Sequence, residues 1–136
     1  EQMEHKMATS TIITLILIGF FAGTLSGFVG VGGGVIIVPS LVYFMRLSQH
    51  EAIGTSLFIL TLPVVILGTM NYAKSGNFNW RYGLVIASTF VIGGYVGSKL
   101  SLKLSPAIVK IVFGILMIYV AFNMIRSGIN LYKNEE

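Results

Sequence analysis

The chain has 136 residues and a formal net charge of +4; 54% of its residues are hydrophobic and only 10% are charged. A soluble domain usually carries about 25% charged residues, so this composition excludes a water-soluble globular domain and a disordered chain. The basic residues lie singly between apolar runs, which argues against nucleic-acid binding and predicts the flanks of membrane segments.

The side chains that most catalytic and metal sites need are scarce. There is no Asp or Cys, and Glu51 is the one carboxylate outside the two tails. Glu51 lies close to Arg46 and His50 and is interpreted as a solvated or paired loop residue. His5 and His50 have no second metal ligand at a helical spacing. We therefore expect no enzyme activity, no metal site and no cofactor.

The N-terminal segment, residues 1–10, is polar and is predicted to be a tail. An apolar run over 11–29 follows it. Lys6 before such a run is a feature of signal peptides, but this run is long for a signal peptide and no small-residue cleavage site ends it. We predict a retained membrane helix.

Residues 11–46 cannot form one continuous membrane helix, because about 36 residues extend ~54 Å, well beyond a hydrocarbon core of ~30 Å. The segment GVGGG at 30–34 is the predicted break, since each Gly costs about 1 kcal/mol in a helix relative to Ala. A shorter helix is expected from about Val35 to Met45, with Pro39 in its first turns.

Three further apolar runs predict membrane helices over 52–73, 82–98 and 108–125. Pro63 is expected to kink the first of these near its middle. Pro106 is expected to begin the last, because proline is favoured at the first position of a helix. The connections between the runs are short and polar.

The predicted fold class is an all-α polytopic membrane protein with about four transmembrane helices and a glycine-broken first element. Residues 11–128 form a single transmembrane domain, and 129–136 form a polar C-terminal tail. Tyr72, Trp80 and Tyr82 bracket one connection in the manner of an interfacial aromatic belt.

Small residues recur every four positions on two of the predicted helices. The sets are Gly19, Gly23 and Gly27; Ala22, Ser26 and Gly30; and Gly93, Gly97 and Ser101. Small residues at this spacing let helix backbones approach closely, so we expect a tightly packed bundle.

The glycine break is a candidate binding site. Unwound backbone at membrane depth is tolerated only where protein or a water-filled cavity surrounds it. The N–H groups and the dipole at the start of the following helix suit an anion. The alternative is a glycine hinge that lets two helices pack closely. Four Gly in five positions are more than a kink needs, which favours the binding site.

Neutral polar residues complete the candidate site. Thr55 and Ser56 follow Gly54 just inside the second apolar run, and Asn71 lies near its far end. Hydroxyls can line an anion path without charge, but they can equally cap a helix or bond to a carbonyl one turn earlier. Both interpretations stay open. The predicted substrate contacts also include Ser26, four positions before Gly30.

Several of these motifs together resemble the sulfite exporter family TauE/SafE, also called toluene sulfonate uptake permeases. They are GFFAG at 19–23, GFVGVGGGVIIVPSL at 27–41, AIGTS at 52–56 and the pair Trp80-Arg81. The resemblance extends from about residue 16 to 125. It implies a transporter, often an exporter, of small anions such as sulfite or organosulfonates.

The resemblance also implies site residues. The family's glycine-rich motif falls on Gly30, Gly32, Gly33, Gly34 and Pro39, and its second motif falls on Gly54, Thr55 and Ser56. The departure from the family pattern is length, since usual members contain two such repeats and this chain contains one.

A single repeat cannot enclose a site that is built between two repeats, so a second chain is expected to supply the other half. We predict a homodimer of half-transporters in the inner membrane, with lipid around it and no nucleic-acid partner. Basic residues flank the two sides almost equally, so parallel and antiparallel copies both stay open.

Two other functions are considered. One is a non-transporting membrane subunit that packs against a larger partner through its small-residue faces. The other is a small multidrug exporter working as a dimer, which is disfavoured because no acid lies inside any predicted span.

Overall fold

A computed structural model describes residues 9–30 and 32–135. The helices are α1 (Thr9–Val29), α2 (Gly34–Phe44), α3 (Gln49–Thr61), α4 (Ile66–Lys74), α5 (Trp80–Lys103) and α6 (Pro106–Glu135). The predicted all-α fold is confirmed. Most of the predicted N-terminal tail, with Lys6 and His5, lies outside the described residues, as do Val31 and Glu136.

The predicted membrane spans coincide with the observed helices. Among the described residues, α1, α5 and α6 are each long and apolar enough to cross a membrane, and the pair α3 and α4 makes a fourth candidate span. About four transmembrane helices are therefore confirmed. Helix α6 begins at Pro106, as expected, and continues to Glu135, so the tail predicted at 129–136 is helical as far as it is described.

The predicted break after the first span is confirmed. Gly30, Gly32 and Gly33 have φ angles of 78°, 74° and 76°, in the left-handed region that glycine adopts without a steric penalty. Helix α2 then starts at Gly34 and has 11 residues. At ~1.5 Å per residue it is about 16 Å long and reaches only partway across a membrane.

The predicted proline kink divides the second span into α3 and α4, which are bent by 53° at the break. Pro63 lies in this break. Proline lacks an N–H and its ring clashes with the preceding turn, so the regular helical hydrogen bonds are not formed here. The Val64 N–H donates instead to the carbonyl of Leu62 at 2.7 Å. A short non-helical connection therefore joins the two helices.

The start of α3 is fixed by a capping box. The Glu51 N–H donates to the Ser48 hydroxyl at 3.2 Å, and the Ser48 N–H donates to a Glu51 carboxylate oxygen at 2.9 Å. The interpretation of Glu51 as a loop residue is therefore wrong, and the spacing Ser-x-x-Glu is the signal that indicates its role. His50 Nε2 lies 3.1 Å from the carbonyl of Leu104 and links α3 to the connection before α6.

The packed part of the described chain is the group α1, α2 and α3. Its buried apolar residues are Ala22, Ile37, Val38, Leu41 and Ala52. Helices α4, α5 and α6 contain no buried residue among those described. The expectation of a tightly packed bundle is therefore wrong for α5, where a Cβ added at Gly93 or Gly97 would meet nothing within 4 Å. Among residues 9–30 and 32–135, no helix packs against these two glycines.

Candidate functional site

A groove of about 790 Å³ lies beside the glycine break. Its walls come from α1, the break, α2, α3 and α4, and most of its lining is apolar. The side-chain hydroxyls on the lining belong to Ser26, Thr55, Thr69 and Tyr72. The described lining includes no charged side chain, so a polar ligand there must be recognised by neutral donors and by the backbone.

Backbone amides at the break supply the strongest candidate donors. The N–H groups of Ile36 and Ile37 donate to the Gly33 carbonyl at 3.0 and 2.8 Å, which starts the hydrogen bonding of α2. N–H groups before this point in a helix lack an intrahelical acceptor, and the helix dipole adds about half a positive charge there. Gly32 and Gly33 lie at this end of α2 and line the groove. The groove therefore borders the N-terminal end of α2, where the helix dipole favours an anion.

Gly30 lines the groove but differs from the other two glycines in its hydrogen bonding. Its N–H donates to the Ser26 carbonyl at 2.7 Å, which extends the hydrogen bonding of α1 past its last residue. This amide is already satisfied by the protein. Gly30 thus contributes the left-handed turn of the chain, while the Gly32 and Gly33 amides are the better candidates for a ligand.

Two glycines of the break are held against neighbouring side chains. A Cβ on Gly33 would lie 3.3 Å from Ile37 Cδ1, and a Cβ on Gly34 would lie 3.4 Å from the Ser56 hydroxyl oxygen. Ser56 is buried on α3. The first turn of α2 therefore lies near enough to α3 for a Cβ at Gly34 to reach van der Waals contact. A side chain at Gly33 would meet both backbone strain and a close contact.

The structure brings some of the predicted site residues together and leaves others apart. Gly34 and Ser56 lie close together, since a Cβ added to Gly34 would be 3.4 Å from the Ser56 hydroxyl oxygen. Pro39, Gly54 and Asn71 are exposed and do not line the groove. The predicted residues that line the groove are Ser26, Gly30, Gly32, Gly33 and Thr55.

Sequence reasoning missed three groove residues of α4, which are Gly68, Thr69 and Tyr72. The sequence places Tyr72 only in an interfacial aromatic belt. In the structure, its hydroxyl donates to the Gly27 carbonyl at 3.0 Å and Tyr72 lines the groove. The Thr69 hydroxyl also lines the groove and donates to the Val65 carbonyl at 3.0 Å. These three residues lie on one face of α4, because Tyr72 follows Gly68 by four positions and Thr69 by three. This spacing is the sequence pattern that could have placed them in one site.

The chain is similar to known proteins over almost its whole length. A family model described as Sulfite exporter TauE/SafE matches residues 2–133. A "probable membrane transporter protein" of Xylella fastidiosa is 35% identical over 130 residues, which are 93% of this chain and 49% of the relative. The "probable membrane transporter protein YunE" of Bacillus subtilis is 30% identical over 114 residues, which are 84% of this chain and 41% of that protein.

The chain spans about half the length of these curated relatives. No solved structure matches it.

Proposed function

The chain belongs to the sulfite exporter TauE/SafE family, and from this membership we propose that it works as half of a membrane transporter for small anions. The proposed substrates are sulfite or an organosulfonate, and the proposed direction is export. The family description names sulfite, which supports the substrate class. The 35% identity to a probable membrane transporter protein over 93% of this chain supports the transport role.

The observation that carries this proposal is the position of the glycine break on the groove. Gly32 and Gly33 line the groove at the N-terminal end of α2. An anion in an apolar surrounding needs donors to replace its water, and backbone N–H groups at a helix N-terminus supply them. Hydroxyls of Ser26 and Thr55 on the same lining are further donors.

The absence of charge on the described lining also supports transport over tight binding. A conducting site must bind its ion strongly enough to admit it and weakly enough to release it. Neutral amides and hydroxyls meet this requirement better than a fixed Lys or Arg, which would form a strong ion pair with the anion. We propose binding and release with no covalent step, as in a transporter and not an enzyme.

A second copy is proposed to complete the site. The chain spans about half of its relatives, and transporter sites commonly lie between two repeats. Gly93 and Gly97 on α5 leave a small-residue face open, which suits close contact with another helix. The proposed homodimer lies in the inner membrane, and lipid covers the remaining exposed faces of α5 and α6.

Transport by the purified chain in liposomes tests this function. We expect saturable flux of radiolabelled sulfite above that of protein-free vesicles, and inhibition of this flux by excess organosulfonate. Flux equal to that of protein-free vesicles for sulfite and for organosulfonates would contradict the proposal. Flux of organic cations alone would favour the multidrug alternative, and purification only in complex with another membrane protein would favour the subunit alternative.

A further inference from the structure

Helix α4 forms one wall of the groove but is weakly attached to the wall opposite it. It contains no buried residue, and it follows the non-helical break at 62–65. The Tyr72 hydroxyl donates to the Gly27 carbonyl of α1 at 3.0 Å. Within residues 9–30 and 32–135 no other hydrogen bond joins α4 to α1. This hydrogen bond is therefore the one polar link between α4 and α1 within the described residues.

The hydrogen bond reaches the part of α1 that leads into the glycine break. Gly27 lies in the last turn of α1, three residues before Gly30. Gly27 and Tyr72 both line the groove, together with Gly32 and Gly33. An anion held by the break amides would therefore share one cavity with the Tyr72 hydroxyl.

We propose that Tyr72 is a positioning residue whose hydroxyl latches α4 to α1 and releases it when an anion occupies the groove. A tyrosine hydroxyl has one proton to donate. The Gly27 carbonyl is a neutral acceptor, whereas an anion is a charged one, and hydrogen bonds to charged acceptors are roughly twice as strong. Anion binding thus draws the donor away from Gly27.

The break at 62–65 lets α4 respond to this release. Pro63 removes helical hydrogen bonds at the point where α3 and α4 are bent by 53°, so the angle can change without breaking a regular helix. Transfer of the Tyr72 hydroxyl from the Gly27 carbonyl to the anion turns α4 about this break and away from Gly27. The response to an anion rests on the proposed function, but the latch itself does not.

Spin labels on α1 and α4 test the latch. No cysteine occurs in the sequence, so Phe28→Cys and Met70→Cys, both at exposed positions, give one defined label pair. Dilution with unlabelled chain keeps the measured distances within one molecule. The distances are compared in the labelled chain, in its Tyr72→Phe variant and in its Tyr82→Phe variant, which changes an exposed tyrosine of α5.

Without an anion, Tyr72→Phe is expected to raise the ratio of long to short label distances about fivefold, the effect of losing one neutral hydrogen bond. Tyr82→Phe is expected to leave the ratio unchanged. Saturating sulfite is expected to shift the label distances of the labelled parent chain and of its Tyr82→Phe variant toward longer values. It is expected to leave the distances of the Tyr72→Phe variant unchanged. A merely structural role for Tyr72 would not produce this loss of anion response.

The result that overturns the latch is an anion-free distance distribution of Tyr72→Phe that equals that of the parent chain. Release by the anion is overturned if sulfite leaves the parent distances unchanged while the same chain shows saturable sulfite flux. A chain without flux of sulfite or organosulfonates would contradict the proposed function instead. The anion-free comparison would then still decide whether the latch exists.

Discussion

Replacing Gly33 by alanine is expected to lower the saturable sulfite flux about 5- to 30-fold. Gly33 has φ 76°, and an L-residue in the left-handed region costs about 1–2 kcal/mol. The added Cβ would also lie 3.3 Å from Ile37 Cδ1. A penalty of this size shifts the break away from the conformation that presents its amides by about that factor.

Gly114→Ala is the matched control for this substitution. Gly114 lies within α6, does not line the groove, and has nothing within 4 Å of an added Cβ. Alanine is favoured over glycine in a helix, so we expect flux within about twofold of the parent chain. The initial rates of sulfite flux are compared among the parent chain, Gly33→Ala and Gly114→Ala in liposomes of equal protein content. Equal flux of Gly33→Ala and Gly114→Ala would remove Gly33 from the site.

Replacing Gly97 by leucine is expected to weaken self-association of the chain about tenfold and to reduce sulfite flux with it. Gly97 lies on the open small-residue face of α5, and a Cβ there meets nothing within the single chain. In a membrane, helices associate through close packing of small residues, so a bulky side chain on the contact face separates them. Single-molecule counting of labelled chains in liposomes measures the dimer fraction.

Ser88→Leu is the control on the same helix. Ser88 is exposed, and its hydroxyl donates to the Val85 carbonyl within α5. At about 100° per residue, Ser88 lies on the opposite side of the helix from Gly97. This variant is expected to keep the dimer fraction of the parent chain. An unchanged dimer fraction in Gly97→Leu would show that α5 does not form the contact through this face.

The features that could be predicted from sequence are those that local chemistry determines. Apolar runs long enough to cross a membrane predict the spans. Four glycines in five positions predict the break between α1 and α2. Pro63 fixed the interruption between α3 and α4, since proline removes a helical donor wherever it occurs. Each of these arguments needs only residues that are neighbours along the chain.

The features that escaped prediction depend on contacts between distant segments. Tyr72 and Gly27 are 45 residues apart, and nothing in either neighbourhood indicates that they pair. Pro39 shares a motif with the glycines, yet it is exposed on α2 and outside the groove. The Gly30 N–H donates to the Ser26 carbonyl, and the number of glycines in the motif does not predict this hydrogen bond. Motif membership and position in the site are therefore separate properties.

The role of the glycine break is tested most directly by the amide resonances of isotope-labelled glycine in the purified chain. During titration with sulfite, the Gly32 and Gly33 N–H signals are expected to shift saturably, because both glycines line the groove at the start of α2. Signals of Gly114 and Gly128 in α6 are expected to stay in place. Unchanged Gly32 and Gly33 signals, or equal shifts of all four, would contradict anion binding at the break.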